Sequence, residues 1–305
     1  MNPREGGGWA SVGIGLGGRG AALQGLRYGS SGKLDVDTVS AVAMNGLPVV
    51  IAALLLGGLL AALEISFRLG RRAKQRSGDD KAQMGTIQAA VLGLLGLLLG
   101  FSFAGAAGRM EQRQGLVVAE ANAIGTAFLR ADLLPVATRG SLKALLFSYT
   151  QNRVRLHEEM DSRRYASIRA EAEALHNQIW AAALRGVEAS PQNTMAIVPA
   201  INEVIDLHLA RLDARMRHLP GLVVGLLVVS SLIAVGTVGY GCGLAGRRNP
   251  AFTTALALLV ASVLWVVIDL DYPRVGVIRM NQDAMLELQA TLEVGMANAA
   301  EPPSR

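Results

Sequence analysis

Residues 84–135 read MGTIQAAVLGLLGLLLGFSFAGAAGRMEQRQGLVVAEANAIGTAFLRADLLP. No Asp, Glu, Lys or Arg occurs between Lys81 and Arg109. At about 1.5 Å of rise per residue, a helix over that run crosses the ~30 Å hydrocarbon core of a bilayer. The helical pattern continues beyond the membrane edge. Met110, Gln114, Val117, Ala121, Ile124 and Phe128 recur at alternating steps of three and four, the spacing of one helix face. The run predicts one long helix that leaves the membrane as a stalk and stops at Leu134, before Pro135. Within the span, Gly96, Gly100, Ala104 and Gly108 repeat every four residues. That lays a smooth strip along one face, of the kind that lets membrane helices approach closely or face a pore axis.

Composition agrees with a membrane protein. Of 305 residues, 51% are hydrophobic and only 17% charged, where about 25% charged is usual for soluble domains. The net charge of +5 is modest and unclustered, which argues against a nucleic-acid-binding surface. Cys242 is the one cysteine, so no intramolecular disulfide can form.

Around the central stretch the chain divides into five parts. Residues 1–43 are glycine-rich, without core periodicity or the pattern of a signal peptide, and read as an irregular tail or as sequence ahead of a start at Met44. Residues 44–108 hold a first transmembrane pair. Residues 109–218 read as a helical extramembrane segment, with apolar stripes at Leu142, Leu145, Leu146 and Tyr149 and at Ile168, Ala172, Leu175, Ile179 and Ala183. EASPQNT at 188–194 is its linker, and its last helix is expected to lead straight into the third span. Residues 219–271 hold the second pair, where Gly239 and Gly243 repeat the close-packing spacing. Residues 272–305 form a polar tail with an amphipathic helix near 282–296. The fold class is therefore all-α, with four transmembrane helices and both termini on one side. Lys and Arg near the membrane number seven on the loop side (Arg71, Arg72, Lys74, Arg76, Lys81, Arg247, Arg248) and seven on the other (Arg109, Arg113, Arg211, Arg215, Arg217, Arg274, Arg279). Total charge thus leaves the orientation open, although positive density in short loops favours a cytoplasmic loop side.

LLGLLLGFSF at 94–103 and EANAIGTAFLRADLLP at 120–135 resemble the signature of bacterial bestrophin-like membrane proteins. EISFRLGRR at 64–72, INEVIDLHLAR at 201–211, GLAGRR at 243–248 and DLDYPRVGVIR at 269–279 match in order and spacing. The resemblance covers about residues 44–280. It implies an inner-membrane, multi-pass homo-oligomer and, through kinship with anion channels, a ring of five subunits, a small anion as partner and a cytoplasmic middle segment. Phe101 and Phe103 lie two apart and point to different faces, so no constriction residue carries over.

Enzymatic motifs are absent: no GxSxG, P-loop, HExxH or paired CxxC occurs. No catalytic, cofactor-binding or metal site is expected, and no partner beyond the lipid bilayer, a small anion and further copies of the chain. His157 precedes two solvated glutamates, and His208 reads as a satisfied core histidine. The polar residues of interest lie near the membrane edges. Glu64 and Arg68 are four apart on one helix and predict an ion pair. Glu120, Asn122, Arg130 and Asp132 lie on the stalk, Asn202, Asp206 and Arg211 on the returning helix, and Asp269 and Asp271 at the end of the fourth span. Side-by-side packing would let Arg130 or Arg113 face Asp206, and Glu120 face Arg211 or Arg215. Such groups either fix helix register as a buried network or line an anion path. The functional expectation is an oligomeric anion channel; the alternative is a non-conducting sensor or scaffold.

Overall fold

The computed structural model describes residues 36–73, 81–159, 161–272 and 277–300. Among them the chain is all-α, without a strand: α1 (Val36–Ala73), α2 (Lys81–Arg130), α3 (Val136–Glu158), α4 (Ser162–Ala189), α5 (Thr194–Met216), α6 (Gly221–Ala245), α7 (Pro250–Asp271) and α8 (Asp283–Ala300). The chain divides into two units, Met1–Gly46 and Leu47–Arg305. In the first, residues 36–46 are helical, although 36–43 were expected to be irregular; residues 1–35 lie outside the described residues.

Among the described residues four segments are long and apolar enough to cross a membrane, on α1, on α2, across α5 and α6, and on α7. The uncharged parts of the second and third are residues 84–108 and 219–246. Two cores follow from the change in sequence along α2. In the membrane part, Leu59 and Leu63 of α1 pack with Leu95 and Leu99 of α2, Leu227 and Val235 of α6, and Leu264 and Val267 of α7. Beyond it, Val117, Ile124 and Phe128 of α2 pack with Leu142 and Leu146 of α3, Ile179 of α4, Ile197 and Ile201 of α5, and Met285 and Leu292 of α8. Among the described helices only α2 contributes several large side chains to both cores, so it is the spine of this unit.

Local chemistry sets the element ends. After Arg130 the stalk tightens into a 3-10 turn, Ala131–Leu133, and Pro135 ends it. Gly246, at φ 68°, ends α6 in the left-handed conformation that glycine adopts without a Cβ clash. Asn249 then caps α7 by accepting from the Ala251 amide, with Pro250 in the first turn. Asp161 caps α4 through the amides of Arg163 and Arg164.

The link from α5 to α6 corrects one expectation. The helix does not run through: α5 ends at Met216, and Arg217 is extended before Pro220 leads into α6. Proline disfavours helix in the residue before it. Carbonyls freed at this break are taken up by Arg113 of α2, which donates to Ala214 O at 3.0 Å and to Arg217 O at 2.6 Å, and also to Asp271 O at the end of α7 at 3.3 Å. Cys242 is free and half-buried on α6.

Candidate functional site

The helical segment beyond the membrane encloses a polar cluster built from four helices. Glu120 of α2 lies about 18 Å along the helix beyond Gly108, at about 1.5 Å per residue. Its side chain is 0% exposed. Arg153 of α3 approaches its carboxylate at 3.0 Å, and Arg211 of α5 donates to the same group. Tyr149 of α3 donates its hydroxyl to Glu120 Oε1 at 2.5 Å. His208 of α5 places Nδ1 3.1 Å from that hydroxyl, and the His176 ring of α4 lies edge-on to His208 with centroids 4.6 Å apart.

One proton decides the tautomer. Tyr149 has a single hydroxyl hydrogen, and Glu120 takes it. His208 must then donate from Nδ1, which leaves Nε2 a bare, buried lone pair. His208 is therefore a half-satisfied histidine, against the expectation of a satisfied one: among the described residues Nε2 has no partner, nor do His176 Nε2 and Arg153 Nη1.

The electrostatics follow. Burial alone would raise the Glu120 carboxyl; Arg153, Arg211 and the Tyr149 hydroxyl overcome it and hold the group at about 2. Burial lowers His208 to about 3, helped by the charge of Arg153, and burial also lowers His176 despite Glu120 and Glu173 nearby. Burial and the adjacent Glu120 charge raise Tyr149 well above its ordinary range. Burial opposes both guanidinium charges; two short contacts to Glu120 more than offset it at Arg153. The cluster thus holds two cations and one anion near neutral pH, with both histidines neutral.

A pH dependence of stability follows, with a definite sign. His176 and His208 stay neutral in the fold but protonate in the unfolded chain below about 6.5. Their contribution is complete above that value and is lost as pH falls toward about 3 for His208. Glu120 adds a second loss between its ordinary value of 4.5 and about 2. Heat unfolding followed by tryptophan fluorescence is expected to show a decline in stability below about 6.5. In the variant His176→Gln/His208→Gln, the part of that decline above about 4.5 should shrink. An unchanged acid limb would place the titration elsewhere.

The other polar residues sort by position. Asp132 takes Lys143 Nζ at 2.7 Å and Arg139 at 3.5 Å, closing the turn between α2 and α3. Arg130 donates to Ala196 O at 2.9 Å, and Arg113 to the carbonyls at the α5–α6 break. Neither faces Asp206, which points to solvent, as do Asn122 and Asn202. At the membrane edge Asp271 accepts from Arg109 Nε at 2.9 Å and from the Leu219 amide at 2.8 Å, while Asp269 accepts from the amides of Val277 and Ile278. On the loop side Glu64 accepts from Arg68 at 2.8 Å and also from Arg248, across the bundle.

Two glycine stripes behave differently. Gly239 and Gly243 of α6 lie against the α1 backbone at Leu63, Phe67 and Gly70. Gly96, Gly100, Ala104 and Gly108 of α2 are exposed, and nothing within 4 Å would meet a β-carbon at any of the three glycines. Phe101 and Phe103 flank that face and are exposed as well. Among the described residues no group of three His, Cys, Asp or Glu side chains is placed to hold a metal ion.

Sequence reasoning missed Tyr149, Arg153 and His176 as polar partners. The signal was present: Leu142, Leu146, Tyr149 and Arg153 continue one helical stripe, and so do Ala172 and His176. A charged residue that continues an apolar stripe must find a buried partner.

Four apolar spans and a helical extramembrane segment define a multi-pass integral membrane protein. The sequence model of the Bestrophin-like domain matches residues 41–285, and the chain belongs to the bestrophin-like family. The fold is similar to the crystal structure of a mutant bacterial bestrophin homologue from Klebsiella pneumoniae. That comparison has a TM-score of 0.57 at 13% identity and covers 81% of this chain and 97% of the other. No curated protein matches the chain.

Proposed function

We propose that the protein is a homo-oligomeric anion channel of the bacterial inner membrane, with α2 facing the symmetry axis or the neighbouring subunit. The observation that supports this most is the open face of α2. Gly96, Gly100, Ala104 and Gly108 are exposed, and among the described residues nothing lies within 4 Å of a β-carbon at the three glycines, whereas the Gly239 and Gly243 pair packs inside the subunit. A small-residue strip left open on the spine helix suits close approach of a second copy. Head-to-tail contacts that close give a ring. Kinship with bestrophins favours five subunits and a small anion as the permeant species. This is the reading of a channel rather than of an enzyme.

A non-conducting sensor or scaffold is favoured by one different observation. Arg113, Arg153 and Arg211 are all engaged by protein carbonyls or by Glu120, so these cations are not open to a passing anion.

The variant Gly100→Leu is expected to change oligomer size or conductance while leaving membrane insertion intact, because no atom of the same subunit stands near that position. Native mass spectrometry reports the oligomer, and chloride flux from liposomes reports conduction. A monomeric wild-type protein would refute the channel. A ring that passes no anion would shift the reading to the sensor or scaffold.

A further inference from the structure

The side of the membrane opposite the polar hub carries a concentration of arginine that pairing among the described residues only partly accounts for. Arg68, Arg71 and Arg72 end α1, and Arg247 and Arg248 follow α6. The two helix ends are held together without intervening side chains: a β-carbon at Gly70 would sit 3.1 Å from the Gly243 Cα and would collide with the Tyr240 carbonyl. Five arginines from two adjoining chain segments therefore lie at one membrane edge.

Glu64 is the one carboxylate paired with them among the described residues, and it engages Arg68 and Arg248. Arg248 and Arg71 both lie over the Phe67 ring, at 5.3 and 6.0 Å from its centroid. Arg71, Arg72 and Arg247 are exposed, and none has an acidic partner among the described residues. Like charges gathered in this way repel one another unless an anion lies among them.

Their level in the membrane identifies the anion. The apolar part of α1 ends at these arginines, and α6 ends at Ala245, two and three residues before Arg247 and Arg248. That is the depth of lipid phosphates, and basic pockets between transmembrane helices suit anionic headgroups. Arginine presents a planar fork of donors that binds phosphate oxygens in pairs.

We propose that Arg71, Arg72 and Arg247 form a binding site for the phosphate of an anionic phospholipid, with Glu64 holding Arg68 and Arg248 in place beside it. The site stands whether or not the protein conducts ions.

Native mass spectrometry of the full chain released from nanodiscs tests this, with phosphatidylglycerol and phosphatidylcholine supplied in equal amounts. The wild type is expected to retain phosphatidylglycerol preferentially. The variant Arg72→Gln/Arg247→Gln should lose that preference by roughly tenfold to thirtyfold, since each basic residue at an anionic surface contributes about a factor of five. Arg72→Lys/Arg247→Lys should keep most of it, which separates charge from packing. Equal heat stability of all three proteins in pure phosphatidylcholine shows that folding is unchanged. Retention indifferent to headgroup, or a preference that survives the double glutamine variant, would overturn the proposal. So would displacement of the lipid by millimolar inorganic phosphate, which would mark a site for free anions.

Discussion

Replacing Glu120 with alanine is expected to destabilise the helical segment by about 3–5 kcal/mol, the usual cost of stripping one partner from a buried ion pair. Arg153, 4% exposed, and Arg211, 11% exposed, would then remain as buried cations without an anion. The Tyr149 hydroxyl would lose its acceptor, and with it the partner that sets the His208 tautomer. Heat or denaturant unfolding of the detergent-solubilised protein reads the loss directly. Replacing Glu120, Arg153 and Arg211 together by methionine should cost less than the single change, because no charge is then left buried. A loss below about 1 kcal/mol for the single change, the range of an exposed pair, would refute a buried network here.

Gly243→Val is expected to disrupt the contact between α1 and α6 at a cost of about 3 kcal/mol, the upper end for overpacking. A β-carbon at Gly243 would sit 2.8 Å from the Arg71 amide nitrogen and 2.9 Å from the Gly70 Cα, and would also collide with the Phe67 carbonyl. These are backbone atoms of a second helix, so no rotamer change relieves the contact. Gly96→Ala meets nothing within 4 Å and should leave the isolated subunit unharmed, or help it by up to about 1 kcal/mol through helix propensity. Thermal stability in detergent compares the two. A Gly243→Val protein as stable as the wild type would mean that α1 and α6 are not held backbone to backbone.

Part of the candidate site was legible in the sequence: Glu120 and Arg211 as possible partners, but not Tyr149, Arg153 or His176 beside them. Glu120 and Arg211 stood out as polar residues within the stretches that resemble the bestrophin-like family. That Arg153 joins them depends on α3 folding back beside α2, which the turn at Asp132 and Pro135 permits but does not dictate. Asp206 shows the converse. It lies on the same helix as His208 and Arg211, yet two residues from His208 the helix has turned to solvent. Arg113 engages the Ala214 and Arg217 carbonyls, which are free acceptors because α5 stops at Met216, and with them the Asp271 carbonyl at the end of α7.

By itself the sequence determines the spans, because charge-free runs of this length have few stable places other than a bilayer. It also determines the ends of α2, α6 and α7, where Pro135, Gly246 and the Asn249–Pro250 pair act through their own backbone chemistry. The two glycine stripes have the same spacing, and only the tertiary structure separates them: Gly239 and Gly243 meet the α1 backbone, and Gly96, Gly100 and Gly108 meet nothing in the subunit. It alone also gathers Glu120, Tyr149, Arg153, His176, His208 and Arg211 from four helices. Spans and caps arise from interactions within a few residues or with the solvent. Partners across a bundle depend on which helix faces which, and that choice is made by packing the whole chain at once.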